Sequence, residues 1–199
     1  ALVALDRRFH VLPTDSVAVD NEGAAHEAVS HLVRLGHRRI AIVGGPPDAH
    51  TARERLRGYE RAHREARVPV VPELVTTGTF RESAGLSITR HLLGLPDPPT
   101  AIFSVNNLTT IGVLRALREA GTPIPGRMSL VGFDDIPTAE LLDPPLTVVR
   151  QPTYRMGARA VELLIHRLRE PDSPVQEVQL SGSLVVRGST GPVPDSVYP

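Results

Sequence analysis

The chain has 199 residues, 22 basic and 22 acidic side chains with a formal net charge of zero, 41% apolar residues and no cysteine. Every basic residue is arginine, since the sequence contains no lysine. The size and apolar fraction suit one large globular domain or two small lobes. Missing cysteine excludes disulfides, thiolate metal sites and cysteine nucleophiles, missing lysine excludes a Walker phosphate loop and Schiff-base chemistry, and zero net charge argues against this stretch gripping a phosphate backbone alone.

In chain order, Val17-Ala18-Val19 reads as a short strand closed by Asp20-Asn21, a helix start signal. Residues 23–35 place Ala25, Ala28, Val29, Leu32 and Val33 on one helical face, and Gly36 ends that helix. Residues 38–45 form a buried strand running into a glycine turn, and 51–67 a polar helix with Leu56, Tyr59 and Ala62 inward. A strand at 73–80 and a helix at 82–93 follow, then strands at 101–107 and 128–135 around a helix at 108–120 ended by Gly121. Strands separated by single helices predict a parallel, doubly wound α/β sheet, and short continuous apolar runs fit strands covered on both faces. Beyond residue 136 the rhythm changes: a strand at 146–152, an amphipathic helix at 153–169, a turn at 171–174 and a final strand at 178–188 interrupted by Ser-Gly-Ser. The last residues read as a disordered tail. No apolar run approaches the roughly 18 residues of a membrane span, and the amino terminus lacks a signal-peptide layout.

Open parallel sheets bind ligands beyond the carboxyl ends of their strands. Four strands there deliver Gly44-Gly45 with Thr51, Arg53 and Arg55, then Thr79-Phe80, Asn106-Asn107 and Asp134-Asp135. A guanidinium, an aromatic face, amides and carboxylates on one rim suit a neutral polyhydroxylated molecule, with bidentate groups for hydroxyls and a ring for the C–H face. Each residue also has an ordinary structural reading. The asparagines and aspartates can cap the following segments, Arg55 can be a solvated helix charge and Phe80 a core aromatic.

Enzyme motifs fail on spacing. His26 and His31 flank Glu27 but stand five apart, about 140° around a helix, and cannot share a metal. Gly85-Leu86-Ser87 lies inside a helix without the second glycine of a nucleophile elbow. Pro46 after Gly44-Gly45 removes a backbone N–H that a dinucleotide fingerprint needs. No catalytic residue, metal or cofactor is expected.

The segments 20–46, 101–121 and 128–152, with LGHRRIA, VGFDD and the run from LDPPLT to RQP, closely resemble the effector-binding domain of lactose-repressor/galactose-repressor family transcription regulators. The resemblance implies a type I periplasmic-binding-protein-like fold of two lobes, a small-molecule effector in the cleft, homodimerisation, and operator binding through an amino-terminal helix-turn-helix that this sequence lacks. It further implies that residues 1–18 and 151–179 are a remnant of a first lobe otherwise mostly absent. Residues 19–150 and 180–190 would be a complete second lobe and 191–199 a tail. Carried over by position, the effector contacts are Asp6, Thr51, Arg55, Phe80, Asn106, Asp134 and Gln151, and the dimer contacts Arg81, Ile111, Leu114, Leu141 and Leu142. The two leucines at 141–142 can equally be core residues. Ala49 stands where some relatives carry an arginine, which disfavours a purine-like or anionic effector.

The expected function is therefore the sugar-sensing part of a cytoplasmic DNA-binding repressor, without membrane contact. The alternatives are an extracytoplasmic sugar-binding protein of a transporter and a sugar-modifying enzyme. One structural expectation accompanies it: the helix at 153–169 lacks part of the sheet it would pack on, leaving Val161, Leu164 and Leu168 partly uncovered.

Overall fold

The computed structural model describes residues 1–7 and 13–193. Among the described residues nine strands fall into two sheets. Strands β1 (Val3–Leu5), β2 (Asp15–Val19) and β8 (Glu177–Leu180) form a small parallel sheet in the order β1-β2-β8. The larger sheet contains β3 (Ile40–Val43), β4 (Val75–Thr76), β5 (Ala101–Ser104), β6 (Ser129–Phe133), β7 (Thr147–Arg150) and β9 (Ser183–Val185). Its order is β4-β3-β5-β6-β7-β9, parallel throughout except for β9, which runs antiparallel to β7 with Leu184 opposite Val149.

Five α-helices among the described residues cover these sheets: α1 (Asn21–Arg34), α2 (His50–Glu65), α3 (Glu82–Leu93), α4 (Asn107–Glu119) and α5 (Thr153–Arg169). Side chains alternate across the large sheet as the two-residue period of a strand requires. Ile40, Ile42, Phe103, Val131, Phe133 and Val149 pack with α1 and α2, whereas Ala41, Val43, Ile102, Leu130 and Val148 pack with Leu92 of α3 and Val113 and Leu117 of α4. Each large side chain so buried contributes about 1.5–3 kcal/mol, so both faces are committed to helices. Two glycines set how close the helix pairs come. A Cβ on Gly58 would lie 2.3 Å from the Glu22 carbonyl oxygen, and one on Gly112 would lie 2.1 Å from that of Glu82.

Local chemistry explains the helix ends. The Asp20 carboxylate accepts from the Gly23 N–H at 2.9 Å to cap α1, and Gly36 leaves the helix at φ +96°. Asn106 accepts from the Thr109 N–H in a capping box that starts α4. The chain passes between the sheets at three places: after β2, after β7 and between β8 and β9. At the first, the Asp20 N–H donates to the Leu180 carbonyl at 2.8 Å, tying one crossing to another.

Several sequence expectations are corrected. The strand expected at 73–80 is a 3-10 turn (Pro72–Leu74) and a two-residue strand, because residues 77–80 leave the sheet and bring Phe80 to a cavity described below. The single strand expected at 178–188 is two strands in different sheets, its Ser-Gly-Ser interruption being the third crossing, so the large sheet is not wholly parallel. Strand β1 had no expectation at all. Residues 191–193 are not a loose tail: His37 Nε2 lies 3.0 Å from the Gly191 carbonyl oxygen and the Val193 N–H donates to Leu35. The rest of the expected tail, 194–199, lies outside the described residues. On α5, Val161 and Leu168 are exposed and Leu164 is half-buried, as expected.

The helix is nevertheless anchored. Arg167 holds the buried Asp15 carboxylate through Nε and Nη2 at 2.8 and 2.9 Å, and the Gln176 N–H donates to the same carboxylate. Those bonds join α5, β2 and the approach to β8. They hold Asp15 below the usual carboxylate range, with the Arg167 bond the largest cause.

Candidate functional site

A cavity of about 690 Å³ opens between the two sheets at the carboxyl ends of the large sheet's strands. Asp6, Thr51, Arg55, Phe80, Asn106, Asp134 and Gln151 all line it, so the seven positions separated by up to 145 residues of sequence meet around one space. Asp6 comes from the end of β1, Gln151 from the crossing after β7, Thr51 and Arg55 from α2, Phe80 from the loop after β4, and Asn106 and Asp134 from the ends of β5 and β6. Both α2 and α4 start at the cavity, directing the positive ends of their dipoles toward it.

Arg55 sits at the floor, 3% exposed. Its Nε donates to Asn21 Oδ1 at 2.8 Å, its Nη1 donates to the Val105 carbonyl, and its guanidinium carbon lies 3.5 Å from the centre of the Phe133 ring. Burial lowers its pKa to about 10, and the carboxylates of Asp134 and Asp6 offset part of that effect. The reading of Arg55 as a solvated helix charge is therefore wrong.

The two carboxylates differ in their surroundings. Asp134 is tied down: Gln151 Nε2 donates to its Oδ1 at 2.6 Å and the Asn107 N–H to its Oδ2 at 3.3 Å. Asp6 Oδ1 is buried with no hydrogen-bond partner among the described residues, and burial raises the pKa of the group, opposed by Arg55 and reinforced by Asp134. Both have left-handed backbones, Asp6 at φ 61° and Asp134 at φ 82°. Aspartate tolerates that region better than most residues, but it remains uncommon and concentrates at binding sites.

The Phe80 ring lies against Gly45, where a Cβ would come within 2.1 Å of its Cε1, so glycine there lets the ring form one wall. Asn106 does cap α4 through Oδ1, as its structural reading had it, while also lining the cavity. Two strand-end candidates point elsewhere. Arg53 donates to the Pro47 and Asp48 carbonyls and braces the loop before α2. Asp135 forms a bidentate pair with Arg187 and a further one with Arg150, an arrangement that lowers its pKa against the opposing effect of burial. Sequence reasoning missed Arg7, Asp48 and His50 on the cavity wall, and the buried Asn21 behind Arg55; Asn21 read only as a helix start, and no pattern marked it further.

The five expected interface residues divide by exposure. Arg81, Ile111 and Leu141 are exposed, Leu141 by 82%, whereas Leu114 and Leu142 are half-buried against the core beneath α3 and α4. Among the described residues no group of histidines and carboxylates could hold a metal, and no helix is long and apolar enough to cross a membrane. His26 bonds to Glu65 and His31 to Thr190, on different sides of α1.

Comparison with known proteins matches residues 29–190 to the periplasmic binding protein-like domain. The HTH-type transcriptional repressor CytR of Escherichia coli (strain K12) is 36% identical over 183 residues, covering 92% of this chain and 53% of that protein. The ribose operon repressor of the same organism is 38% identical over 162 residues, 81% of this chain and 49% of its own length. Among solved structures, a complex of the transcriptional regulator CelR with cellobiose superposes with a TM-score of 0.87 at 35% identity, over 94% of this chain and 58% of that one. A LacI family regulator from Enterococcus faecium with bound ribose gives 0.86 at 29% identity, over 96% of this chain and 70% of that one. The chain spans about half the length of the curated relatives it matches.

Proposed function

The chain belongs to the periplasmic binding protein-like domain family as it occurs in lactose-repressor/galactose-repressor regulators, and on that premise we propose that it is the effector-sensing part of a DNA-binding transcriptional repressor. Its effector is a sugar or sugar-like molecule bound between the two sheets. One observation carries the reading: a buried guanidinium, the partnerless Asp6 oxygen, the anchored Asp134 carboxylate and the Phe80 ring surround a single cavity. A polyol supplies what these groups lack, with hydroxyl donors for Asp6 and Asp134, acceptors for Arg55 and C–H groups for the ring. The relatives with cellobiose and ribose bound support that class.

Residues 1–18 and 151–179 then belong to a first lobe, and 19–150 with 180–190 to a second. Asp6 comes from the first and Arg55 from the second, so a ligand touching both favours the closed arrangement and shifts the population toward it. In the full-length protein this closure would couple to operator binding by a helix-turn-helix, within a cytoplasmic homodimer joined near Arg81, Ile111, Leu114, Leu141 and Leu142. The repressors it matches support a ligand that is bound and released unchanged.

A thermal-shift screen of ribose, glucose and cellobiose on the full-length protein tests this. A ligand at 100 times its dissociation constant stabilises by about 2.7 kcal/mol, which is readily seen. At least one sugar is expected to raise the melting temperature of the wild type and to lose most of that effect in Arg55→Ala and Asp134→Ala. Shifts that survive both substitutions, or chemical conversion of the sugar, would contradict the proposal.

A further inference from the structure

Asn21 touches no part of the cavity, yet it is 1% exposed and both ends of its amide are used. Its Nδ2 donates to the Val19 carbonyl at 3.2 Å, at the last residue of β2 in the small sheet. Its Oδ1 accepts from Arg55 Nε at 2.8 Å, on α2 above the large sheet. The residue sits on the first crossing between the sheets, next to Asp20, whose N–H is bonded to the crossing at Leu180. A single amide therefore connects the hinge backbone to the cavity's only fully buried cation among the described residues.

We propose that Asn21 is the positioning residue for Arg55: it fixes the guanidinium relative to the hinge strand, so that the aim of the ligand-binding arginine depends on the arrangement of the sheets. The inference rests on the effector-site reading for its consequence in binding, but its geometry is independent of which ligand binds. Three contacts orient the guanidinium. The Phe133 ring sets its plane, the Val105 carbonyl holds Nη1, and Asn21 holds Nε. Phe133 and Val105 both belong to the large-sheet side, at the ends of β6 and β5. Only the Asn21 bond reaches across to the small sheet. A guanidinium fork is planar and its bonds are directional, so losing Nε frees rotation about the stem and misaligns the donors aimed at ligand oxygens. Asparagine suits the role because it must donate to one partner and accept from the other; a carboxylate cannot donate to Val19 and an aliphatic residue can do neither.

The test uses the full-length protein with Asn21→Ala, Asn21→Asp and Arg55→Ala, and two readouts. The first needs no ligand: hydrogen exchange of the Arg55 Nε–H, followed by ¹⁵N-detected magnetic resonance and assigned by its loss in Arg55→Ala. Asn21→Ala should speed exchange at least about tenfold while backbone amides of β5 and β6 keep their protection. Asn21→Asp, which retains the acceptor, should keep the slow Nε–H. The second is a double-mutant cycle on affinity for ribose and cellobiose. Asn21→Ala alone should weaken binding by about 10- to 100-fold, the equivalent of one hydrogen bond to a charged group, and should add nothing in the Arg55→Ala background. Unchanged Nε–H exchange in folded Asn21→Ala overturns the proposal, as does an affinity loss that persists in the absence of Arg55. If Asn21→Ala does not fold, Asn21→Ser replaces it in both readouts. If neither sugar binds the wild type, the effector reading fails while the exchange result still decides the role of Asn21.

Discussion

Replacing Arg55 by methionine should abolish ligand binding while leaving the empty protein nearly as stable as before. Burial pushes its pKa down to about 10, so the folded protein holds this proton less tightly than the unfolded chain. At 1.36 kcal/mol per unit, burying the charge costs about 3 kcal/mol at neutral pH, net of its attraction to Asp134 and Asp6. That cost is present at every pH below about 10 and fades only as pH rises through that value. Methionine removes the cost and keeps much of the volume over the Phe133 ring, but forfeits the bonds to Asn21 and Val105, each worth about 1.5–3 kcal/mol for a charged donor. The opposing effects leave a net loss of about 0–3 kcal/mol. Binding has no such compensation, because a charge-assisted contact to sugar oxygens in a dry cavity is lost outright, and affinity should fall at least about 100-fold. Urea unfolding of the empty protein gives the first quantity and titration calorimetry with the sugar identified by thermal shift gives the second. A loss of more than about 4 kcal/mol of stability with affinity retained would refute the reasoning, since Arg55 would then be a structural residue.

Further outcomes follow from the same structure. Asp6→Asn should remove a carboxylate whose raised pKa penalises folding once pH exceeds the folded-state value, so the variant should match or exceed wild-type stability at neutral pH, with the difference vanishing in acid and sugar affinity reduced about tenfold. Asp15 behaves oppositely: its lowered pKa supplies stability that is complete above the ordinary carboxylate value and lost as pH falls below about 4, so Arg167→Met should lower stability in urea unfolding at pH 7 and flatten the acid limb of the pH–stability curve. Gly58→Ala, which puts a Cβ 2.3 Å from a backbone oxygen, should cost at least about 2 kcal/mol in urea unfolding. Gly45→Ala meets only the movable Phe80 ring and should change sugar affinity more than stability.

Much of this was legible in the amino-acid order, for identifiable reasons. Helices α3 and α5 occupy 82–93 and 153–169 as expected because apolar periodicity and flanking glycine or proline mark them strongly. The strand ends were visible because continuous apolar runs stop abruptly at Asn106 and Asp134. Short edge strands were harder: three-residue β1 went unread and the strand expected at 73–80 shrank to two-residue β4, because edge pairing is decided by neighbours far away in sequence. The reversal of β9 could not be read either, since Leu184 and Val185 look alike in either direction and only the crossing at Ser181-Gly182 turns the chain. In the site, residue chemistry identified Arg55 but suggested a solvated charge, because burial depends on the Phe133 ring and Asn21 behind it. Asn21 itself was silent, its amide looking like any helix-start residue.

The central claim is that a sugar lies between Asp6 and Arg55. A crystal structure of the full-length protein grown with the sugar that gives the largest thermal shift tests it directly. The account predicts sugar hydroxyls within hydrogen-bond distance of Asp6 Oδ1, the Arg55 guanidinium and Asp134, with a ring face against Phe80. A sugar bound elsewhere, or a cavity holding only water at saturating sugar, would contradict it.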